Sequence, residues 1–235
     1  LIEDSTLSWA TVASGDLAVE ATSDRTIGAY TLAGAVSVAS GTQGRGVAGA
    51  GAASGSVNQI EGDTTATVRR STATVPGTVL VEATDESGII SAAGGIAVAV
   101  GLSTRGNGGA GSFGAAFAIN SIGKDGDPDE VWAEVDASTV SAGDTLTIAA
   151  DSLANIFALS IGAAGSVSGS GAGNAIGVSG AGSATVNKIR VSTQARARNG
   201  STLTTADGKA LSVTADDDSD INATAGAASL SISVS

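Results

Sequence analysis

Three aspartates at alternate positions around a glycine, Asp125, Asp127 and Asp129 about Gly126, are the residues of this 235-residue chain best suited to hold an ion. Calcium takes roughly six to eight oxygen ligands, and a tight loop can present several carboxylates together. The surrounding segment, 124–130, lacks the glycine and the closing glutamate of an EF-hand loop, so a solvated acidic turn explains the same residues. A second acidic run, Asp216, Asp217, Asp218 and Asp220, also reads two ways: calcium bridging stacked acidic turns, or plain screening by salt. The third pattern is amide chemistry. Asn58, Asn120 and Asn187 each open an Asn-x-Ile triplet, and asparagines stacked in register can bond side chain to side chain as a ladder. A turn-favouring asparagine at a strand bend is the simpler alternative.

The rest of the inventory excludes most catalysis. The chain has no His, Cys or Met, which removes imidazole and thiolate chemistry and the usual zinc, iron and haem ligands. A serine could be activated by a lysine, but Lys124, Lys188 and Lys209 sit in turn-like or repeat-equivalent contexts with no catalytic signature. No enzyme is expected, and no cofactor beyond calcium. A net charge of −12 argues against nucleic acid and anionic membrane surfaces, both of which need clustered Lys and Arg. No run of about 18 apolar residues is present to span a bilayer, so no membrane insertion is expected. The glycine-rich turns lack the strand and helix context of a phosphate cradle.

What positions these residues is a repeat. Val19, Val81, Ile148 and Val213 each precede an alanine by two places, and they lie 62, 67 and 65 residues apart. The Asn-x-Ile triplets keep the same step, 62 then 67. A third marker pairs Thr with an apolar residue at Thr6-Leu7, Thr74-Val75, Thr139-Val140 and Thr202-Leu203, ahead of Gly15, Gly77, Gly143 and Gly208. These divide the chain into a partial unit, 1–15, three full units, 16–77, 78–143 and 144–208, and a partial unit, 209–235. The longer step has a local cause, about five extra residues within 124–130.

Each unit starts with a short strand, such as 17–22, and a polar turn leads to a long apolar stretch, such as 26–40. A Gly-rich turn reverses the chain into a second Gly/Ala stretch, such as 47–60, and a more polar strand closes the unit. In the third full unit that last strand alternates Arg190, Ser192, Gln194, Arg196 and Arg198 against Val191, Thr193, Ala195 and Ala197, so one side meets water. The two long stretches are apolar or small on both faces and are expected to be covered above and below. Their interior glycines cost a helix about 1 kcal/mol each, which argues for strands. Ala and Val dominate the 42% hydrophobic content, aromatics make up 3%, and there are 34 glycines, so backbones must pack closely in place of large interlocking side chains. The expected fold is all-β: a repetitive β-solenoid or layered stack with units of about 65 residues, a string of β-sandwich repeats being the rival.

The stretch Gly180-Ala181-Gly182-Ser183-Ala184-Thr185-Val186-Asn187-Lys188-Ile189, with the Ser-Thr-Val or Ser-Thr-Leu that follows such stretches, resembles the repeats of large bacterial filamentous surface adhesins of the leukotoxin-like and filamentous haemagglutinin-like group. That resemblance implies an exported cell-surface protein whose repeats form a β-rich stalk, with its adhesive tip and its host or surface ligand elsewhere. The chain begins at Leu1 and closes inside an alternating segment, 229–235, and is expected to be a piece of a longer protein. The functional expectation is a structural repeat of an extracellular fibre or adhesin that extends rigidly and self-associates end to end or laterally. A subunit of a self-assembling sheath or matrix filament is one alternative. A glycan- or ice-binding module is the other: ice needs ranks of aligned threonine, which the units lack, and glycan needs exposed aromatics, for which Trp9, Trp132 and Tyr30 are the candidates.

Overall fold

Alternating small and apolar residues punctuated by glycine leave the extended chain as the conformation that pairs its peptide groups most completely. The computed structural model describes residues 1–8 and 15–235, and among them the chain forms nineteen strands and no helix. A first partial coil supplies β1 (Ile2–Glu3) and β2 (Thr6–Ser8). The next holds β3 (Leu17–Ser23), β4 (Thr26–Gly41), β5 (Gly46–Ile60), β6 (Thr64–Arg69) and β7 (Thr72–Val75). Then come β8 (Val79–Asp85), β9 (Gly88–Ser103), β10 (Gly108–Ile122), β11 (Asp129–Asp136) and β12 (Thr139–Ala142). The last full coil is β13 (Leu146–Ser152), β14 (Asn155–Ser170), β15 (Ala175–Ile189), β16 (Val191–Arg198) and β17 (Thr202–Thr205), followed by β18 (Leu211–Asp217) and β19 (Asp220–Val234).

Each strand pairs in parallel with its equivalent one coil away, which makes five stacked sheets and a β-solenoid. Three short-stranded sheets, β1-β6-β11-β16, β2-β7-β12-β17 and β3-β8-β13-β18, form a base. Two long-stranded sheets, β4-β9-β14-β19 and β5-β10-β15, pack on each other as a blade that runs out from the base and back. Strands of 16 residues give the blade a reach of about 50 Å.

The base is an ordinary apolar core. Val68, Val81, Val135, Val140, Leu146 and Ile148 are fully buried between its sheets, and a second cluster of Ile60, Ile89, Ile122 and Ile156 seals the junction with the blade. The blade interior is built from Gly, Ala and Ser. In β9 the inward positions are Ile89, Ser91, Ala93, Gly95, Ala97, Ala99, Gly101 and Ser103. With such small side chains the two sheets approach to backbone contact: a Cβ placed on Gly101 would lie 1.8 Å from the carbonyl oxygen of Gly109, and one on Gly95 would lie 2.0 Å from that of Ala115. Glycine is required there by the neighbouring strand.

This arrangement corrects the expectation that the long strands are covered on both faces. Their small face is buried, and their large apolar face is open: Leu32 is 79% exposed, Val36 77% and Tyr30 74%. The registers Val19↔Val81↔Ile148↔Val213 and Asn58↔Asn120↔Asn187 coincide with the repeat markers read from the sequence. The third marker does not. Thr6, Thr139 and Thr202 align with Thr72 in place of Thr74, because a corner ladder sets that register. At the corner between the first two base sheets Asp4, Arg70, Ala137 and Asn199 all take positive φ, 49, 44, 46 and 54°. A left-handed non-glycine residue is strained by about 1–3 kcal/mol. A serine follows each, directly or, after Asn199, one residue later, and these serines bond from corner to corner: Ser5 N–H donates to Ser71 Oγ at 3.0 Å, Ser71 N–H to Ser138 Oγ at 3.0 Å and Ser138 N–H to Ser201 Oγ at 3.2 Å.

Candidate functional site

The asparagines end the second blade sheet, on its inner face. Asn58 Nδ2 donates to Asn120 Oδ1 at 2.8 Å, and Asn120 Nδ2 donates to Asn187 Oδ1 at 2.7 Å. Asn120 is fully buried, so these bonds satisfy amide groups that water cannot reach. Serines at the blade tip repeat the device. Ser103 Oγ donates to Gly44 O at 2.6 Å and accepts from Gly106 N–H at 2.9 Å; one coil on, Ser170 Oγ donates to Gly106 O and accepts from Gly173 N–H, both at 2.7 Å. Sequence reasoning missed the tip and corner serines. The corner signal was available as four Ser-Thr dipeptides, at 5, 71, 138 and 201, that keep the spacing of the coils.

The acidic loop is a protruding hairpin. Lys124 and Asp127 exchange backbone bonds around Asp125-Gly126, with Gly126 at φ 82°. The three aspartates part from there. Asp125 faces the next coil, 3.2 Å from Lys188 Nζ and also paired with Arg190; the Lys188 bond is foremost in holding its carboxyl below the usual range. Asp127 stays in the turn and Asp129 points inward, where its Oδ1 accepts from Gly62 N–H at 3.1 Å. Burial is the main cause that raises the Asp129 carboxyl above its usual range, and the charge of Asp85 adds to it. Asp85 Oδ1 accepts from Ser87 Oγ at 2.7 Å, while Asp85 Oδ2 and Asp129 Oδ2 are buried without a protein partner. Among the described residues no three acidic side chains are gathered as a metal-holding group.

The second acidic run also separates. Asp216 pairs in register with Asp151, and Asp220 with Asn155 at the start of the blade. Asp218 N–H bonds to Ser152 O as Leu153 N–H bonds to Asp85 O and Glu86 N–H to Ser23 O, so the turns stack as Asp24, Glu86, Leu153 and Asp218. Leu153 interrupts the expected acidic column and keeps Glu86 and Asp218 two coils apart, about 9–10 Å at the strand spacing. The aromatic candidates divide as well. Trp132 lies under the guanidinium of Arg196, 4.0 Å from its ring centre, and Arg196 in turn pairs with the buried Glu134. Tyr30 stands open on the blade, and Trp9 lies outside the described residues.

Charge is partitioned between the two regions. The seven blade strands hold two charged residues, Lys188 and Asp220, both at the end nearest the base. Arg45 and Arg105 lie in the tip turns, and the remaining charges belong to the base. No helix among the described residues is long and apolar enough to cross a membrane. No protein family, curated protein or solved structure matches the chain.

Proposed function

We propose that the chain is a structural repeat of an extracellular fibre or cell-surface adhesin, in which stacked coils act as a rigid spacer. The observation that carries this reading is the register. Equivalent residues stay paired from coil to coil in all five sheets, and the variations in repeat length fall outside the ladders. Such a body lengthens by one strand spacing, about 4.8 Å, for each coil added, and each coil contacts only its neighbours. The outer edges of β4 and β5 at one end, and of β19 and β15 at the other, are unpaired in their sheets and have the geometry to receive a further coil. The absence of His and Cys from the sequence agrees with a non-catalytic role. Calcium enters this proposal at the base, which carries the acidic side chains other than Asp220.

Electron microscopy of the native material, with and without a chelator, tests the reading. Rods with an axial periodicity of about 4.8 Å support it, and fraying on chelation would add calcium bridging. Discrete globular particles indifferent to chelator would return the chain to an isolated binding module.

A further inference from the structure

The outer face of the first blade sheet, β4-β9-β14-β19, is open, apolar and free of charge beyond Asp220 at its base end. Four strands of 15 or 16 residues span about 50 by 18 Å, or roughly 900 Å². The largest apolar patch on a typical monomer is about 300–600 Å², and a standard interface buries about 800 Å² on each partner. One face of this sheet is therefore large enough for a stable dimer.

Its relief is self-complementary. Along one column of the register, Leu32, Gly94, Ile161 and Gly226 alternate large and absent side chains from coil to coil. Leu32 and Ile161 flank an apolar hollow of about 390 Å³ at Gly94. A second hollow, of about 260 Å³, lies over Ala163 and Gly165 between Ile96 and Leu230. Knobs and hollows on one surface are what an isologous pair needs, since each copy offers both. Leu32 leans toward the first hollow, its Cδ1 2.8 Å from where a Cβ on Gly94 would sit, and the second blade sheet fills its gaps further. The Phe117 ring lies across Gly55, where an added Cβ would meet it at 2.2 Å, and Phe113 lies 3.5 Å from the same position on Gly180.

We propose that the outer face of the first blade sheet is the contact surface between two copies of this chain, packed face to face with the knobs of each in the hollows of the other. The contact is lateral and does not depend on coils adding at the ends.

Sedimentation velocity on the full chain tests it. A dimer is expected, and Ile96→Lys combined with Ile161→Lys weakens it by roughly 100-fold or more, since two copies would bury unpaired charge. Ile119→Lys on the second blade sheet leaves the dimer intact, and far-UV circular dichroism shows that every variant keeps its strands. The chain has no cysteine, so Ala163→Cys near the centre of the face can be probed with a short bismaleimide, which gives covalent dimers that Ile119→Cys does not. A chain that stays monomeric at all concentrations overturns the proposal, as does equal disruption by lysines on either sheet. So does a monomer that instead binds neutral phosphatidylcholine vesicles through the same face. End-to-end growth gives an open series of sizes that survives the first-sheet lysines, so failure of the spacer reading is distinguishable from failure of this one.

Discussion

Base and blade share the same coils and the same parallel ladders, yet they are held together by opposite means. The base encloses branched side chains such as Leu146, Ile148 and Val135, so its cohesion scales with apolar area removed from water. The blade turns that order around, with Gly, Ala and Ser between the sheets and Leu, Val, Ile and Phe outside. Its cohesion comes from backbone hydrogen bonds and close contact of two peptide surfaces. A base tolerates lost volume poorly; a blade tolerates gained volume poorly. The difference also separates their surfaces, since the base is charged and the blade is left apolar on its outside.

The contrast breaks most sharply at Gly101. Gly101→Val sets a side chain where even a Cβ lies 1.8 Å from the Gly109 carbonyl, and backbone has to move. A loss of about 3 kcal/mol or more is expected in urea unfolding, with hydrogen exchange rising in β9 and β10 before the base strands. Ile148→Ala is the matching insult to the base. It leaves a cavity at a fully buried site and is expected to cost about 2–5 kcal/mol, with exchange rising first in the base. Asn120→Ala strands Asn58 Nδ2 and Asn187 Oδ1 at the join of the two regions, a loss of about 1–3 kcal/mol in the same assay.

Two smaller effects sharpen the comparison. The folded-state pKa of Asp129 is raised, so the stability linked to its protonation is present below the unfolded value of 3.8 and is lost as pH rises through the folded value. Asp129→Asn keeps the acceptor for Gly62 and should raise the Tm at pH 7 by about 2–4 °C for each kcal/mol relieved, with the gain vanishing near pH 3 in calorimetry. An unchanged Tm at pH 7 would show that this buried carboxylate is compensated. At the other extreme, Gly111 faces outward with nothing within 4 Å of an added Cβ, so Gly111→Ala should change stability by no more than about 0.5 kcal/mol. A large loss there would erase the distinction between the blade's two faces.

The solenoid was legible because register leaves chemical marks. Val19, Val81, Ile148 and Val213 occupy one column, and the three asparagines another, so equal spacing in sequence became adjacency in space. Thr74 falls off the column because Ser71, whose N–H donates to the Ser138 hydroxyl of the next corner, sets the register at Thr72. The open faces were hidden for a different reason. In 26–41 both faces are apolar by type, and only residue size tells them apart: Ala29, Ala33, Ala35 and Ala39 alternate with Tyr30, Leu32, Val36 and Val38. Hydropathy alone does not say which face is inside. Size does, once a second glycine-rich strand is seen to lie against the small one. The parting of the acidic residues was not legible, because Asp125 turns to Lys188 and Arg190 in the hairpin while Asp129 points inward to the Gly62 N–H.

The asparagine column has a direction. Each side chain gives its N–H to the following coil and takes one from the preceding coil, so every amide dipole in the row points the same way. Coils whose strands already run parallel thus carry a built-in arrow, and the two ends of the stack are chemically unlike: one shows the carbonyl of Asn58, the other the amino group of Asn187. If such coils stack end to end as proposed, the rod would have a plus end and a minus end. Seeds offering one end or the other would be elongated at different rates, and two rods meeting head to head would find like groups opposed.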